Sequence, residues 1–373
     1  MRKKSKEKWI QHTMQVLAIV IVIALCYFFI LNGGYFTNEQ MRFTANLKAG
    51  WSLGNTFDVH NLHFQTTNPQ DYETYWNNPV TTQKIIQDIK DANFTTIRIP
   101  VTWYEHVDEN YIIDEVWMAR IQQVVDLCIN SGFYVILNSH HDSVYSPRSE
   151  NMPIAENFIC ILWTQIAECF ASYDNHLLFE SMNEPRDINS EYEWNVGTSE
   201  MRENINKLNA VFVDAIRGSS GFNSERYLVL PTYCARPETI ALEDFRMPKG
   251  KNLILSVHMY KPYSFSQNEY GTTDWTSSNS NDTNEINQMM NDLERLFISK
   301  NIPVIIGELG AIDKNNEDTR AQWIAYIAGK AAKLGIPCIW WDAGGNDRYS
   351  IYDRYNAEWR FPKIRDALVN SFS

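Results

Sequence analysis

From about residue 41 onward, short continuous apolar runs alternate with longer amphipathic ones. The apolar runs fall at 47–53, 95–99, 133–137, from Leu177, and at 227–230, 253–257, 304–306 and 337–341. Each has strand length, and Pro100 and Pro231 stop two of them, because proline lacks the N–H that a further pairing step needs. Between them, helical periodicity covers 81–92, 114–131, 154–172, 199–217, 284–300 and 319–334, and a last helix is expected at 362–371. In 114–131 the stripe is Val116, Ile121, Val124, Val125 and Cys128, and Gly132 suits its C-terminal stop. Thr81 or Thr82 is a plausible N-cap for the first of these helices. Strands that are apolar throughout, rather than alternating, predict a parallel sheet covered on both faces. Eight of them interleaved with helices predict an α/β fold, a (β/α)8 TIM barrel. The alternative is a doubly wound open sheet, but no glycine-rich dinucleotide loop follows the first strand. The Ser/Thr/Asn/Gly-rich stretch 267–284 reads as a long loop after the sixth strand.

The N-terminus breaks this rhythm. Arg2, Lys3, Lys4, Lys6 and Lys8 precede an apolar run at 14–31 in which Gln15 is the one clearly polar residue. At about 1.5 Å per residue such a run just crosses a bilayer core of roughly 30 Å. The basic flank places the N-terminus in the cytoplasm and the body outside. Residues 1–35 are therefore expected to be a basic tail plus signal anchor, and 36–373 one catalytic domain, extracytoplasmic and membrane-anchored. The alternative is secretion after signal cleavage, although 31–35 offers no small-x-small site.

Charge and composition narrow the partners. The net charge of −12 argues against nucleic acid, since a phosphate backbone requires clustered cations. Of the 12 Trp, 19 Tyr and 18 Phe some must be core, and an enzyme that stacks sugar rings would also want them. The six cysteines show no C-x-x-C spacing, so neither a zinc site nor a disulfide framework is indicated. Cys128, Cys160, Cys169 and Cys338 lie in apolar patterns and read as small buried hydrophobes. No cofactor and no metal is expected, and the chain is expected to be a monomer.

The chemistry sits at the strand ends. Asn55, Phe57 and Asp58 follow the first strand, and Arg98 lies within the second. Asn138, His140, His141 and Asp142 follow the third, Asn183 and Glu184 the fourth, and His258 and Tyr260 the sixth. Glu308 follows the seventh, and the eighth ends at Trp341 and Asp342. In a barrel these residues converge on one mouth. Two carboxylates there are what glycosidic cleavage requires: an acid for the leaving oxygen, and a carboxylate for the oxocarbenium-like centre. Glu308 would be the nucleophile, kept ionised by Arg98 and the Tyr260 hydroxyl. Glu184 would be the acid/base, which asks for a drier or more negative setting than that of Glu308. Asn183 can donate to a sugar hydroxyl, His258 and His140 can orient these groups, and Trp341 offers a flat face to a sugar ring. Each has a plainer reading: Arg98 as a structural strand arginine, Trp341 as barrel core, Glu308 as a solvated loop acid. A metal site on His140, His141 and Asp142 is a further alternative, disfavoured because consecutive strand residues point to opposite faces.

These residues, in this order, resemble the retaining endo-β-glucanases of glycoside hydrolase family five. The matching runs are Gly50 to Asp58, Ile97 to Trp103, Asn138 to Asp142, Phe179 to Arg186, His258 to Tyr260, Ile306 to Ala311 and Trp340 to Asp342. They span most of 48–359. Trp76 to Pro79, Glu193 to Gly197 and Asp313 to Asn316 are similar to the subgroup-four members, which include cellulases, lichenases and xyloglucanases. The resemblance implies Glu184 as acid/base, Glu308 as nucleophile, and supporting roles for Arg98, His140, Asn183, His258, Tyr260 and Trp341. Ser52, Asn77, Leu309 and Ala343 depart from the pattern without removing a catalytic group. The expected function is endo-cleavage of internal β-1,4 bonds in cellulose-like glucans, with xyloglucan or mixed-linkage glucan as alternative substrates. A catalytically silent surface carbohydrate-binding protein and a metal-dependent hydrolase are the rivals from other classes.

Overall fold

The computed structural model of the chain describes residues 38–345 and 347–373. The apolar run 14–31 and its basic flank lie outside the described residues. Among the described residues, no helix is long and apolar enough to cross a membrane.

Eight strands close into a barrel: β1 (Ala49–Ser52), β2 (Thr96–Ile99), β3 (Tyr134–Asn138), β4 (Leu177–Glu180), β5 (Leu228–Pro231), β6 (Leu253–Met259), β7 (Val304–Leu309) and β8 (Cys338–Trp340). Every neighbour is parallel, and β8 pairs back with β1 through Ala49 and Cys338, Gly50 and Ile339, and Trp51 and Trp340. The expected (β/α)8 barrel is therefore the observed one, and the open-sheet alternative falls. The strands are buried on both faces, as their continuous apolar sequence requires. One apolar cluster lies between strands and helices. A smaller one, with Leu178, Val229, Ile254, Ile305 and Ile339, fills the barrel interior.

Several expectations need correction. A helix at Glu39–Asn46, N-capped by the Asn38 side chain, precedes β1. Its Phe43 stacks on Tyr227 at 3.6 Å and packs against the interior cluster, closing the barrel end away from the strand C-termini. Short length and a single inward aromatic gave it no visible period. Val116 is 49% exposed, whereas Ile121, Val124, Val125 and Cys128 of the same stripe are buried. The inward stripe begins at Trp117 and continues through Ile121, Val124, Val125 and Cys128, and Val116, one position earlier, points off it. Cys160 is exposed and Cys169 half-buried, since helix Met152–Cys169 turns its outer face to solvent at those positions. All five cysteines among the described residues are free. The stretch 267–284 is loop only in part, because helix Ser280–Leu296 begins inside it.

β6 and β7 run further than their apolar cores predict, so His258 and Glu308 are strand residues rather than loop residues. The pairing register slips between Val257 and His258, and again between Ile306 and Leu309. An irregularity of this kind re-aims a side chain at a barrel rim. Here it sets His258 directly opposite Glu308.

Candidate active site

Arg98 is the hub. It is fully buried on β2, and its three nitrogens diverge to three partners. Nε donates to Glu180 at 2.6 Å, Nη1 to Glu308 at 2.6 Å, and Nη2 to the Asn183 Oδ1 at 2.7 Å. Burial alone would weaken the guanidinium's hold on its proton, but the charges of Glu180 and Glu308 raise its pKa further still. Arg98 thus reaches across the barrel to β4 and β7. By taking the Asn183 oxygen it fixes that amide, leaving the NH2 group as a donor for a ligand.

Glu180 is the residue that sequence reasoning missed. It is wholly buried at the end of β4 and also accepts from Ser256 Oγ at 3.3 Å. Its only sequence signal was a charge closing an apolar strand, which is easily taken for the start of a loop. Gly307 lets β7 pass close to this group, since a Cβ there would stand 2.6 Å from Ser256 Oγ.

The two expected carboxylates come together. Glu184, Glu308 and His258 each offer an oxygen or nitrogen within 4.8 Å of the others. His258 Nδ1 lies 2.7 Å from Glu184 Oε1 and 3.5 Å from Glu308 Oε2. Tyr260 donates its hydroxyl to Glu308 Oε2 at 3.0 Å. Burial and the Glu308 charge hold that phenol well above its ordinary pKa, so it remains a donor. Glu308 therefore has the arginine and the tyrosine expected of it.

The electrostatic expectation for Glu184 does not hold. Its side chain is 16% exposed against 7% for Glu308, so it is not the drier of the two. Burial pushes it up, but the His258 hydrogen bond and the His258 and Arg186 charges outweigh that and hold it below the ordinary glutamate value. Burial raises Glu308, with the His258 and Arg98 charges opposing. His258 is raised: burial would lower it, and the charge of Glu308 and the bond to Glu184 more than compensate. The imidazole thus stands in contact with both acids, its basicity strengthened by each.

His140 and Trp341 flank this centre. Their rings stack at 5.5 Å and 6°. The Asn138 oxygen accepts from Val101 N, so its amide nitrogen faces His140 Nδ1 at 3.1 Å. His140 Nδ1 is then an acceptor and Nε2 carries the proton. Burial, with His141 and Arg98 nearby, drives the His140 pKa well below the ordinary value, so the ring is neutral. Such a ring presents an N–H donor rather than a lone pair. That disfavours the metal reading, as does Asp142. Its Oδ1 accepts the backbone N–H groups of Trp103 and Tyr104 at 2.8 and 2.7 Å, and its Oδ2 accepts the Ser139 hydroxyl. The acid that does approach His140 and His141 is Asp58, which sequence reasoning placed on another strand end without linking it to them.

Trp341 is held from behind. Arg354, buried over the Trp51 ring, donates to the carbonyl oxygens of Gly54 and Asp342 and to the Asp342 carboxylate. It ties the β1 and β8 loops together. Gly54 makes the room, because a Cβ there would meet the Trp341 ring at 2.8 Å.

Glu184 stands at the junction of two cavities. One, of about 680 Å³, is walled by Trp194, Arg236, Glu238, Tyr260, Tyr263 and Tyr349. The other, of about 440 Å³, is walled by His60, Tyr104, His140, His141, Asn183 and Arg186. Space therefore extends to both sides of the carboxylate pair, and Trp194 (58% exposed) offers an open ring on one of them. Arg186 lies 4.0 Å over that ring and 3.8 Å from Glu184.

Comparison with known proteins agrees with this geometry. The model of the family described as cellulase (glycosyl hydrolase family 5) matches residues 59–347. Endoglucanase A of Clostridium longisporum is 42% identical over 335 residues, covering 87% of this chain. This chain spans 64% of that relative's length. The solved GH5-4 broad specificity endoglucanase from Clostridium longisporum superposes with a TM-score of 0.86 at 39% identity, over 90% of this chain and 98% of the other. A GH5 xyloglucan-specific endo-β-1,4-glucanase from a metagenomic library, solved with cellotriose, gives 0.84 at 34% identity over 89% and 99%. With the barrel, the paired glutamates and the family match in agreement, the chain belongs to the cellulases of glycosyl hydrolase family 5, among relatives that are endoglucanases.

Proposed function

We propose that this enzyme cleaves internal β-1,4-glucosidic bonds by double displacement, with Glu308 as nucleophile and Glu184 as acid/base. The observation that carries the reading is the approach of the two carboxylates to within 4.8 Å, with His258 between them. Retaining glycosidases hold the pair at about 5–5.5 Å, whereas inverting enzymes leave about 6.5–9.5 Å for a water. The assignment of roles rests on contacts. Glu308 receives a charged bond from Arg98 and a hydroxyl from Tyr260, which favour its anion. Glu184 borders the open space on both sides, where a leaving group departs and water enters.

In the first step Glu308 attacks the anomeric carbon, and the C–O bond to the leaving sugar breaks as Glu184 delivers a proton to that oxygen. The proton reaches Glu184 along the 2.7 Å bond from His258. In the second step Glu184 takes a proton from water, whose oxygen displaces Glu308. The Asn183 amide and the His140 Nε2–H are donors for hydroxyls of the reacting sugar, and Trp341 stacks against its ring. Access on both sides of the pair supports endo action.

A cellulose-like β-1,4-glucan is the substrate favoured by this open, aromatic-lined cleft. The 680 Å³ cavity, together with a relative specific for xyloglucan, also favours branched chains as a second reading. Anchoring through 14–31 remains part of the proposal. Helix Glu39–Asn46 closes the barrel end remote from the cleft, so an anchor attached through 32–37 would leave the mouth facing away from a membrane.

Rates on carboxymethylcellulose, barley glucan, xyloglucan and mannan, measured side by side for wild type and Glu308→Gln, test the function. Wild-type release of reducing ends from the first three and its loss in the variant are expected. No release from any would instead favour a non-catalytic carbohydrate-binding protein. Carbonate extraction of membranes from cells making the chain with and without 14–31 tests the anchor.

A further inference from the structure

Asp313 to Asn316 follow β7, and two of these residues bond to the neighbouring loop after β6. The Lys314 ammonium donates to three backbone oxygens of that loop: Ser264 at 3.1 Å, Asn268 at 3.0 Å and Thr272 at 2.9 Å. An ammonium has three N–H groups and no acceptor, so its whole capacity is spent on one stretch of main chain. The loop is wound around this charge, and tightly, since a Cβ at Gly271 would stand 1.9 Å from the Ser264 oxygen. Two further side chains fasten the same stretch. Asn316 Nδ2 donates to the Thr273 oxygen at 2.9 Å, and Arg348, after β8, pairs with Glu269 at 2.8 Å. Of the aromatic side chains in 263–273 only Phe265 is buried, so the loop has little apolar burial of its own to hold it. Bonds from a charged donor are roughly twice as strong as neutral ones, and here they take over that work.

What they hold borders the substrate space. Tyr263, 63% exposed, and Gln267 wall the 680 Å³ cavity in which Glu184 stands. Ser266 Oγ donates to the Tyr260 carbonyl oxygen at 2.5 Å, and Tyr349 donates its hydroxyl to the Ser266 oxygen at 3.3 Å. The wound loop is thereby joined to the end of β6 that carries Tyr260, the donor to Glu308. Lys314 is not among the described residues that line the cavity, so any effect it has on a bound chain passes through this wall.

We propose that Lys314 is a positioning residue for the substrate: its ammonium holds the loop after β6 as one wall of the cleft, and so sets how tightly a glucan chain is gripped beside the carboxylate pair. The proposal rests on the glucanase reading for its ligand. The grip acts on the bound chain and not on the reacting bond, so it belongs in KM rather than in kcat.

The test uses full-length protein. kcat and KM on barley glucan are measured for wild type, Lys314→Ala, Tyr263→Ala and the double variant, in sodium chloride and in n-propylammonium chloride at equal ionic strength. Propylammonium supplies the carbons and the ammonium that Lys314→Ala removes. KM should rise about two- to tenfold in Lys314→Ala, the worth of one aromatic contact, with kcat little changed. Propylammonium should recover the rise and sodium should not. In the double variant the rise should be no larger than in Tyr263→Ala alone, because the two residues act through one wall. An unchanged KM, a rise that adds to that of Tyr263→Ala, a rise that propylammonium leaves in place, or a loss confined to kcat overturns the proposal. Should Lys314→Ala not fold, Lys314→Gln, which keeps two of the three donors, carries the same comparison with a smaller rise. Failure of the glucanase reading would look different: wild type would release no reducing ends, while calorimetric affinity for cellotetraose would still read the effect of Lys314.

Discussion

His258 Nδ1 lies 2.7 Å from Glu184 Oε1, so the imidazole is tied directly to one of the two cleft carboxylates. Burial would make His258 a poorer base, but the Glu308 charge and the Glu184 bond raise it above the ordinary histidine value. A raised base keeps its proton above about pH 6.5 and loses it as pH climbs through the raised value. The alkaline limb of kcat/KM should therefore fall above the ordinary histidine range. Since burial lifts Glu308 despite His258 and Arg98, the acid limb should fall above the ordinary glutamate value of about 4.3. The pH profile of kcat/KM for wild type and His258→Asn checks both. An alkaline limb that does not move in the variant would remove His258 from the proton path.

Glu180 is wholly buried, yet Arg98 depends on it. It shares Arg98 with Glu308, and the Arg98–Glu180 pair is excluded from solvent on both sides. Glu180→Gln leaves a buried guanidinium with one carboxylate, and breaking a buried pair from one side costs about 3–5 kcal/mol. Denaturant unfolding should show a loss of that order. Activity of the folded fraction should fall as well, because Arg98 then recentres on Glu308.

Gly54→Ala isolates Trp341. The new methyl would stand 2.8 Å from the indole and 2.9 Å from the Asp342 carbonyl oxygen, so the ring or its loop must shift. KM should rise about two- to tenfold, the worth of one aromatic contact of roughly 0.5–1.5 kcal/mol, with a smaller change in kcat. An unchanged KM would separate Trp341 from sugar binding.

Exhaustive chelation should leave activity intact. The tautomer imposed by Asn138 turns an N–H, not a lone pair, of His140 outward, and Asp142 is occupied by backbone N–H groups. Loss of activity on chelation, restored by a divalent metal, would revive the metal reading.

The barrel was legible because eight two-face-buried strands write themselves as unbroken apolar runs, and because each is stopped by a proline or polar turn. Glu184 and Glu308 were legible because a carboxylate after such a run has little structural reason to be there. Glu180 was not, because its partner Arg98 is 82 positions away and only barrel closure brings them together. The low setting of Glu184 was not legible either. It depends on a register slip at His258, which no local pattern encodes. Arg354 was hidden for the same reason: it lies in a polar tail, and its role appears only when that tail folds back over β1 and β8.

Double displacement requires a covalent bond between substrate and Glu308. Incubation with an activated 2-deoxy-2-fluoro-β-cellobioside, followed by peptide mass mapping, reads this directly. The account predicts a stoichiometric fluoroglycosyl adduct on the peptide carrying Glu308, on the side-chain carboxylate. An adduct on Glu184 or any other residue, or release of the leaving group without any adduct, would contradict it.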